Sequence, residues 1–138
     1  MPGYLLDTNV ISETRKVRAD EGVMAFLGAA DSAGLFLSVL TLGELRKGVA
    51  AKRRTDAVAA ERLALWVDGI AADFADRLLP VDGAVARRWG ELSAGRSLPV
   101  IDTLIAATAL VRGLTVVTRD TQHLETTGVL HLNPWRTR

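Results

Sequence analysis

Four carboxylates occupy similar positions in the sequence, each beside a short apolar run. Asp7 follows YLL, Glu44 follows LFLSVLTLG, Asp102 opens an apolar helical stretch, and Asp120 closes TVVTRD. Carboxylates brought together repel one another, and a fold tolerates the cluster only if protons or cations neutralise it. Oxygen ligands without cysteine suit Mg²⁺ or Mn²⁺. Such an ion can bind a phosphate oxygen, activate water and stabilise a leaving oxygen, which is the chemistry of phosphodiester hydrolysis.

Each of these acids also has an ordinary structural interpretation. Asp7 could cap the N-terminus of a helix, as could Thr8 or Asn9. Asp102 could be a favourable anion near a helix N-terminus, and Asp120 could be a turn residue. On YLLDTNVISE alone, helix capping is the better interpretation of Asp7. Four acids at equivalent places are not what the ordinary roles predict.

The elements that must position these acids follow from the apolar pattern. Five short apolar runs predict strands, namely YLLD, LFLSVL, LLPVD, TVVTRD and VLHLN. Helical periodicity marks VISETRK, EGVMAFLGAAD, TLGELRKGVAAK, DAVAAERLALWVDGIAADFADR, GAVARRWGELSAG and a last stretch from Pro99 to Gly113. Strands alternating with helices predict an α/β sandwich with a mainly parallel sheet. Because the carboxyl ends of parallel strands line the ligand crevice in such folds, the four acids are expected at one edge of the sheet.

Length and composition are those of one compact unit. The chain has 138 residues and a mass of 14.8 kDa, and no linker or repeat divides residues 1–138. It has no cysteine, which excludes thiolate zinc sites and a cysteine nucleophile. The two histidines, His123 and His131, are too few and too scattered for a zinc site. No signal-peptide pattern and no apolar run of membrane-spanning length is visible, so we expect a soluble, cytoplasmic protein without membrane contact.

The formal net charge is only +1, but one segment is strongly basic. RKGVAAKRR contains five cations and no anion, which are Arg46, Lys47, Lys52, Arg53 and Arg54. A solvated helix face is the usual fate of such a run. The alternative is contact with a phosphate-bearing partner, which becomes preferable if the acids cluster elsewhere.

Other α/β proteins with acids at strand ends fit the sequence less well. A response-regulator receiver needs paired acids after the first strand and a lysine late in the chain, but only Asp7 follows YLL and the last lysine is Lys52. A haloacid-dehalogenase-type phosphatase needs a second Asp two residues later, where Asn9 stands. The absence of a GxxxxGK motif excludes a P-loop nucleotide site.

Five segments of the chain resemble those of PIN-domain proteins of the VapC/FitB type, in the same order and over nearly the whole chain. They are LLDTNVISE, LTLGELRKGV, VIDTLIAATAL, VVTRDT and the closing NPW. Proteins of the VapC/FitB type are the toxins of bacterial type II toxin–antitoxin pairs. The resemblance implies a PIN-domain α/β/α sandwich with Mg²⁺- or Mn²⁺-dependent endoribonuclease activity. It also implies a homodimer and an antitoxin that blocks the acidic cleft. The family's acidic positions fall on Asp7, Glu44, Asp102 and Asp120, and its supporting polar positions fall on Asn9 and Thr118.

One departure from the family pattern affects the order of the ligands. Many relatives have Asn where Asp120 stands and an acid three positions later, where this chain has His123. Asp7 and Asp102 are therefore expected as direct metal ligands, with Glu44 next and Asp120 last. The alternative function is a PIN-like module that binds nucleic acid or protein without turnover, but intact acids at all four positions argue against it. For an endoribonuclease, single-stranded or loop RNA is the expected substrate.

Overall fold

A computed structural model describes residues 3–136 of the chain. Within these residues the strands form one sheet in which every neighbouring pair is parallel, in the order β3-β2-β1-β4-β5. The strands are β1 (Gly3–Leu6), β2 (Leu35–Ser38), β3 (Leu78–Leu79), β4 (Leu114–Val117) and β5 (His131–Leu132). The α-helices are α1 (Thr8–Glu13), α2 (Glu21–Ala29), α3 (Val39–Arg53), α4 (Ala57–Asp73), α5 (Gly83–Ser93) and α6 (Val100–Arg112). Short 3₁₀ helices span Ser32–Gly34 and Gln122–Thr127.

Helices cover both faces of the sheet, so the predicted α/β sandwich is confirmed. Successive residues of a strand point to opposite faces, and neighbours in β1 and β4 indeed belong to different hydrophobic clusters. Leu6 and Val117 pack in a cluster with residues of α1 to α4. Leu5 and Val116 pack in a second cluster with α6 and the segment after β4. Strands buried on both faces explain why the runs are apolar throughout rather than alternating.

All five predicted strands are present, but several element boundaries differ from the prediction. The run LFLSVL is a strand only as far as Ser38, and its last two residues begin α3. The Ser38 hydroxyl accepts a hydrogen bond from the backbone N–H of Leu40 at 3.0 Å, so a helix cap ends the strand there. The first helix begins at Thr8, two residues before the predicted start, because Asp7 occupies its N-cap position.

The predicted limits of the last helix are confirmed. Pro99 is the N-cap residue of α6, and Gly113 after its end has φ 68°, in the left-handed region that favours glycine. The helix therefore starts near the carboxyl edge of the sheet and returns the chain to the start of β4. In the described part of the chain, no helix is long and apolar enough to span a membrane.

The C-terminal segment packs against the first turn of α2, at Gly22. A Cβ atom added at Gly22 would overlap the Pro134 carbonyl oxygen and lie 2.7 Å from Cγ of Arg136. Gly22→Ala should therefore destabilise the protein by about 1–3 kcal/mol. Gly28 is the matched control, because it lies in the same helix, is exposed and has open space around its added Cβ. Gly28→Ala should be neutral or stabilise by roughly 0.5–1 kcal/mol. Urea unfolding of both variants measures the difference, and equal effects would contradict the packing.

Candidate active site

Asp7 lies between β1 and α1, where it is the N-cap residue of the helix. Its backbone N–H donates to the Val117 carbonyl oxygen at 2.9 Å, which continues the pairing of β1 with β4. Its Oδ1 accepts from the backbone N–H of Thr8 at 2.8 Å, a bond to the first residue of the helix. The other oxygen, Oδ2, accepts from the Thr118 hydroxyl at 2.7 Å. Asp7 is thus a cap that is also tied across the sheet to the end of β4.

Thr118 connects three of the predicted site residues through one buried hydroxyl group. The hydroxyl donates to Asp7, and it accepts from Nδ2 of Asn9 at 3.2 Å and from the backbone N–H of Asp120 at 3.1 Å. The side-chain oxygen of Asn9 in turn lies 3.5 Å from the backbone nitrogen of Arg119. One proton and two acceptor positions are all that a hydroxyl offers. Thr118 therefore contacts Asp7 directly, and Asn9 contacts Asp7 only through Thr118.

Glu44 lies in the second turn of α3 and is held by threonines. Its Oε1 accepts a hydrogen bond from the Thr8 hydroxyl at 2.5 Å, and the same hydroxyl lies 3.2 Å from Oγ1 of Thr41. Thr41 and Glu44 are three residues apart and so share a face of α3. From the sequence, Thr8 was predicted only as a possible helix cap, and Thr41 was not predicted as a site residue. The T-x-x-E spacing in TLGE was the signal that could have found Thr41.

Asp102 and Asp120 face the same small pocket as Asp7 at the carboxyl edge of the sheet. Thr118 and three apolar side chains of the second hydrophobic cluster complete its lining, which comprises Asp7, Asp102, Ile105, Val116, Thr118, Asp120 and Leu124. Glu44 does not line this pocket; it lines an adjacent groove, and Thr8 lies between it and Asp7. The structure thus brings three of the four predicted acids to one pocket and places the fourth beside it.

His123 was not predicted as a site residue, but the structure places it beside Asp102 and Asp120. The 3₁₀ helix from Gln122 to Thr127, which was not predicted, places its Nε2 atom 3.6 Å from Oδ2 of Asp120. Ligand atoms of Asp102, Asp120 and His123 all lie within 4.8 Å of one another. The sequence offers too few histidines for a zinc site built on both of them. His123 alone, however, lies beside two of the acids.

The electrostatics of the pocket are those of crowded, partly desolvated carboxylates. Burial raises the pKa of Asp7 above its ordinary value; the hydrogen bonds from Thr118 and Thr8 oppose this rise, and the charges of Glu44 and Asp120 add to it. Burial also raises the pKa of Asp102, and the charges of Asp7 and Asp120 raise it further. Asp7 and Asp102 therefore resist ionisation chiefly because they are buried, and the neighbouring carboxylates add to this resistance.

The donor set of this pocket fits a divalent cation. Within residues 3–136, no lysine or arginine forms an ion pair with Asp7, Glu44, Asp102 or Asp120. Carboxylate oxygens that are not ion-paired with lysine or arginine are available as the hard ligands that Mg²⁺ and Mn²⁺ prefer. Neutralisation by a cation would also relieve the repulsion that raises the two pKa values.

The basic run lies on the second half of α3 and just beyond it. Arg46 forms an exposed ion pair with Asp68 of α4, with Nη2 and Oδ1 2.6 Å apart. The cations on the groove beside Glu44 are instead Arg15 and Lys16, which follow α1. That groove is lined by Thr8, Ser12, Arg15, Lys16, Glu44, Leu45, Gly48, Leu63 and Trp66. The structure therefore adds two candidate phosphate contacts close to the acids.

Arg119, which follows Thr118 after β4, packs against an aromatic ring. Its guanidinium carbon lies 5.4 Å from the ring centroid of Trp135, within the range of a cation–π interaction. Trp135 belongs to the closing NPW segment, whose Asn133 side chain accepts from the Trp135 backbone N–H at 2.9 Å. The C-terminal segment thus has a structural role next to the end of β4.

A parallel sheet with acids gathered at its carboxyl edge defines a class of protein, and the comparison with known families names it. Residues 4–129 match the PIN domain family, and the chain belongs to that family.

Its relatives include a VapC ribonuclease and the toxin FitB. The chain is 40% identical to VapC ribonuclease Y4jK of Sinorhizobium fredii, over 95% of this chain and 96% of the relative. It is 39% identical to the toxin FitB of Neisseria gonorrhoeae, over 95% and 97% of the two chains. A crystal structure of FitAcB from Neisseria gonorrhoeae superposes with a TM-score of 0.81 at 38% identity, covering 97% of this chain and 99% of that one. The resemblance to the VapC/FitB type is confirmed.

Proposed function

We propose that this chain is a metal-dependent endoribonuclease and the toxin component of a type II toxin–antitoxin pair. The observation that carries the proposal is the pocket in which Asp7, Asp102 and Asp120 converge without any described lysine or arginine paired to them. The names of the relatives, VapC ribonuclease and FitB toxin, supply the substrate class and the system. Action on cellular RNA would place the activity in the cytoplasm.

In this proposal Asp7, Asp102 and Glu44 hold the ion, and Asp120 contributes from the same pocket. A bound Mg²⁺ or Mn²⁺ would act as a Lewis acid toward the scissile phosphate and make water more acidic. The chain's own contribution is to fix the carboxylates before RNA arrives. Thr118 and the Thr8 amide each hold one oxygen of Asp7, and the Thr8 hydroxyl orients Glu44. Preorganised ligands avoid the cost of rearranging charges during the reaction.

The partner in this proposal is an antitoxin that covers the acidic pocket. A solved relative of this chain, at 35% identity and a TM-score of 0.81, is described as FitAB bound to a DNA fragment. A guanidinium pairs with carboxylates in a fixed fork geometry. We therefore expect an Arg or Lys of the antitoxin near Asp7, Glu44 and Asp102, and we propose that the toxin itself is a homodimer.

An RNA cleavage assay tests the proposed function directly. Purified protein is incubated with total RNA in EDTA, Mg²⁺ or Mn²⁺, and the new RNA ends are sequenced. Cleavage at a limited set of sites with either metal, and none in EDTA, is the expected result. Added antitoxin should slow the cleavage. Binding of RNA without cleavage in any metal would instead support a binding module without turnover.

The basic run gives a separate prediction about RNA binding. If Lys52, Arg53 and Arg54 contact backbone phosphates, replacing two of them by Ala should weaken binding and flatten its salt dependence, because each neutralised phosphate releases counterions. Each lost contact should change the slope of log K against log [salt] by about 0.7 on single-stranded RNA. Arg46 and Lys47 are tested in the same way, with a smaller effect for Arg46 because Asp68 already pairs with it.

Binding is measured in EDTA to keep the RNA intact. Arg88→Ala is the control, since Arg88 is an exposed cation on α5 outside the run. An unchanged slope in all variants of the run would assign it to a solvated helix face.

A further inference from the structure

Ligand atoms of His123 and the two acids beside it lie within 4.8 Å of one another, near enough for the three residues to share one ion after small side-chain movements. Ligands about 2.1 Å from one ion at tetrahedral or octahedral angles are roughly 3.0–3.5 Å from each other. The observed separation of 3.6 Å between Nε2 of His123 and Oδ2 of Asp120 is close to that range. It is also too long for a hydrogen bond. The imidazole is therefore near Asp120 without being fixed to it.

Among the described residues, the charges around this group lack another explanation. Asp120 makes one ion-pair contact, to His123, and Asp102 makes none. The nearest cation in sequence, Arg119, directs its guanidinium to the Trp135 ring instead. Two carboxylates beside one imidazole hold negative charge that no described lysine or arginine pairs with. A cation shared by all three would balance that charge.

We infer that Asp102, Asp120 and His123 form a metal position with one nitrogen ligand, which selects Mn²⁺ over Mg²⁺. Mg²⁺ is bound by oxygen ligands and water in near-ideal octahedral geometry. Imidazole suits first-row transition metals, and a nitrogen ligand in place of an oxygen shifts the preference of a site toward them. The inference goes beyond the oxygen-only set of the proposed function and rests on it only in sharing Asp102. Relatives with an acid at position 123 would lack the nitrogen donor.

The chain is well suited to a test because it has only two histidines. His123 lies in the proposed position, whereas the His131 side chain is exposed on β5, with Nδ1 3.0 Å from the Val129 carbonyl oxygen. Tag-free protein is stripped of metal, loaded with one equivalent of Mn²⁺ and examined by pulsed EPR for coupling to ¹⁴N. Wild type and His131→Asn should show directly coordinated nitrogen, and His123→Asn should not. A missing nitrogen signal in wild type, or its survival in His123→Asn, would overturn the inference.

Competition between the two metals gives an independent measurement. His123→Asp converts the group to oxygen ligands only, so the ratio of the Mg²⁺ to the Mn²⁺ dissociation constant should fall at least about tenfold, the lower end of the effects of altered metal environments. An unchanged ratio in folded His123→Asp would contradict the nitrogen position. Circular dichroism of the metal-free variants verifies folding.

The outcomes also separate this inference from the proposed function. Nitrogen coordination without RNA cleavage would leave the metal position standing and refute the ribonuclease. RNA cleavage without nitrogen coordination would support the ribonuclease and refute the metal position.

Discussion

Asp102→Asn should abolish RNA cleavage and raise the melting temperature of the metal-free protein. Asp102 accepts no hydrogen bond from any described residue, so Asn keeps the shape of the side chain and removes only its charge. A metal in such a site contributes several kcal/mol to transition-state stabilisation, so its loss corresponds to a rate fall of about a thousandfold or more. In EDTA, by contrast, ionised Asp102 carries the cost of its burial and the repulsion from Asp7 and Asp120, and the attraction of His123 offsets only part of this. Its removal should raise the melting temperature by a few degrees.

The pH dependence of the melting temperature shows whether loss of the Asp102 charge causes the higher melting temperature of Asp102→Asn. The pKa of Asp102 in the folded protein lies above its ordinary value of 3.8. Between these two values the native state binds more protons than the unfolded chain, so stability falls as pH rises through this range and stays reduced above it. Asp102→Asn lacks this titration. Its advantage over wild type in EDTA should therefore be present at pH 7 and disappear below about pH 4.

Thermal melts in EDTA and in Mn²⁺ complete the test. Mn²⁺ binds the folded state and stabilises wild type by mass action, and Asp102→Asn should lose most of that gain. Glu61→Gln is the matched control, because it removes one charge from an exposed position of α4. Asp7→Asn should gain less than Asp102→Asn in EDTA, since an amide has one oxygen and can accept only one of the two hydrogen bonds that Asp7 receives, from the Thr8 backbone N–H and the Thr118 hydroxyl. A variant of Asp102 that melts lower in EDTA and keeps the full metal-induced rise would remove Asp102 from the ligands.

The place of the acids could be predicted from sequence because it depends on local patterns. Asp7 and Asp120 each follow an apolar strand, and Asp102 lies in the first turn of a helix with clear start and stop signals. The carboxyl ends of parallel strands meet at one edge of a sheet whatever the remaining sequence is. The fold class could be predicted because short apolar runs, which indicate strands, alternate with longer stretches of helical periodicity.

The contacts that orient the acids could not be predicted, because they join residues far apart in the chain. Thr8 reaches Glu44 across 36 positions, and Thr118 reaches Asp7 across 111. No local pattern encodes such a pairing. His123 was missed for a different reason, since it depends on a 3₁₀ helix with little apolar periodicity of its own. Its proximity to the acids became visible only through the tertiary structure.

Thr118→Val should slow RNA cleavage by about 10–100-fold, the range seen when groups that support metal ligands are removed. Valine has nearly the shape of threonine, but it leaves Oδ2 of Asp7, the Asn9 amide and the Asp120 backbone N–H without the partner they share. Each unsatisfied buried group costs about 1–3 kcal/mol, so some loss of stability is also expected. Thr118→Ser retains the hydroxyl and should restore most of the activity.

The pH profile distinguishes positioning by Thr118 from a purely structural role. The Thr118 hydrogen bond lowers the pKa of Asp7 and so opposes the effect of burial. Without it the pKa of Asp7 rises further, and the carboxylate becomes available to a metal only at higher pH. In Thr118→Val the rising limb of kcat/KM against pH, and the pH dependence of Mn²⁺ binding, should both move to higher pH, whereas Thr118→Ser should follow wild type. If Thr118→Val is less stable but keeps the wild-type pH profile and rate, then Thr118 only supports the fold, and Asp7 is oriented by the Thr8 amide alone.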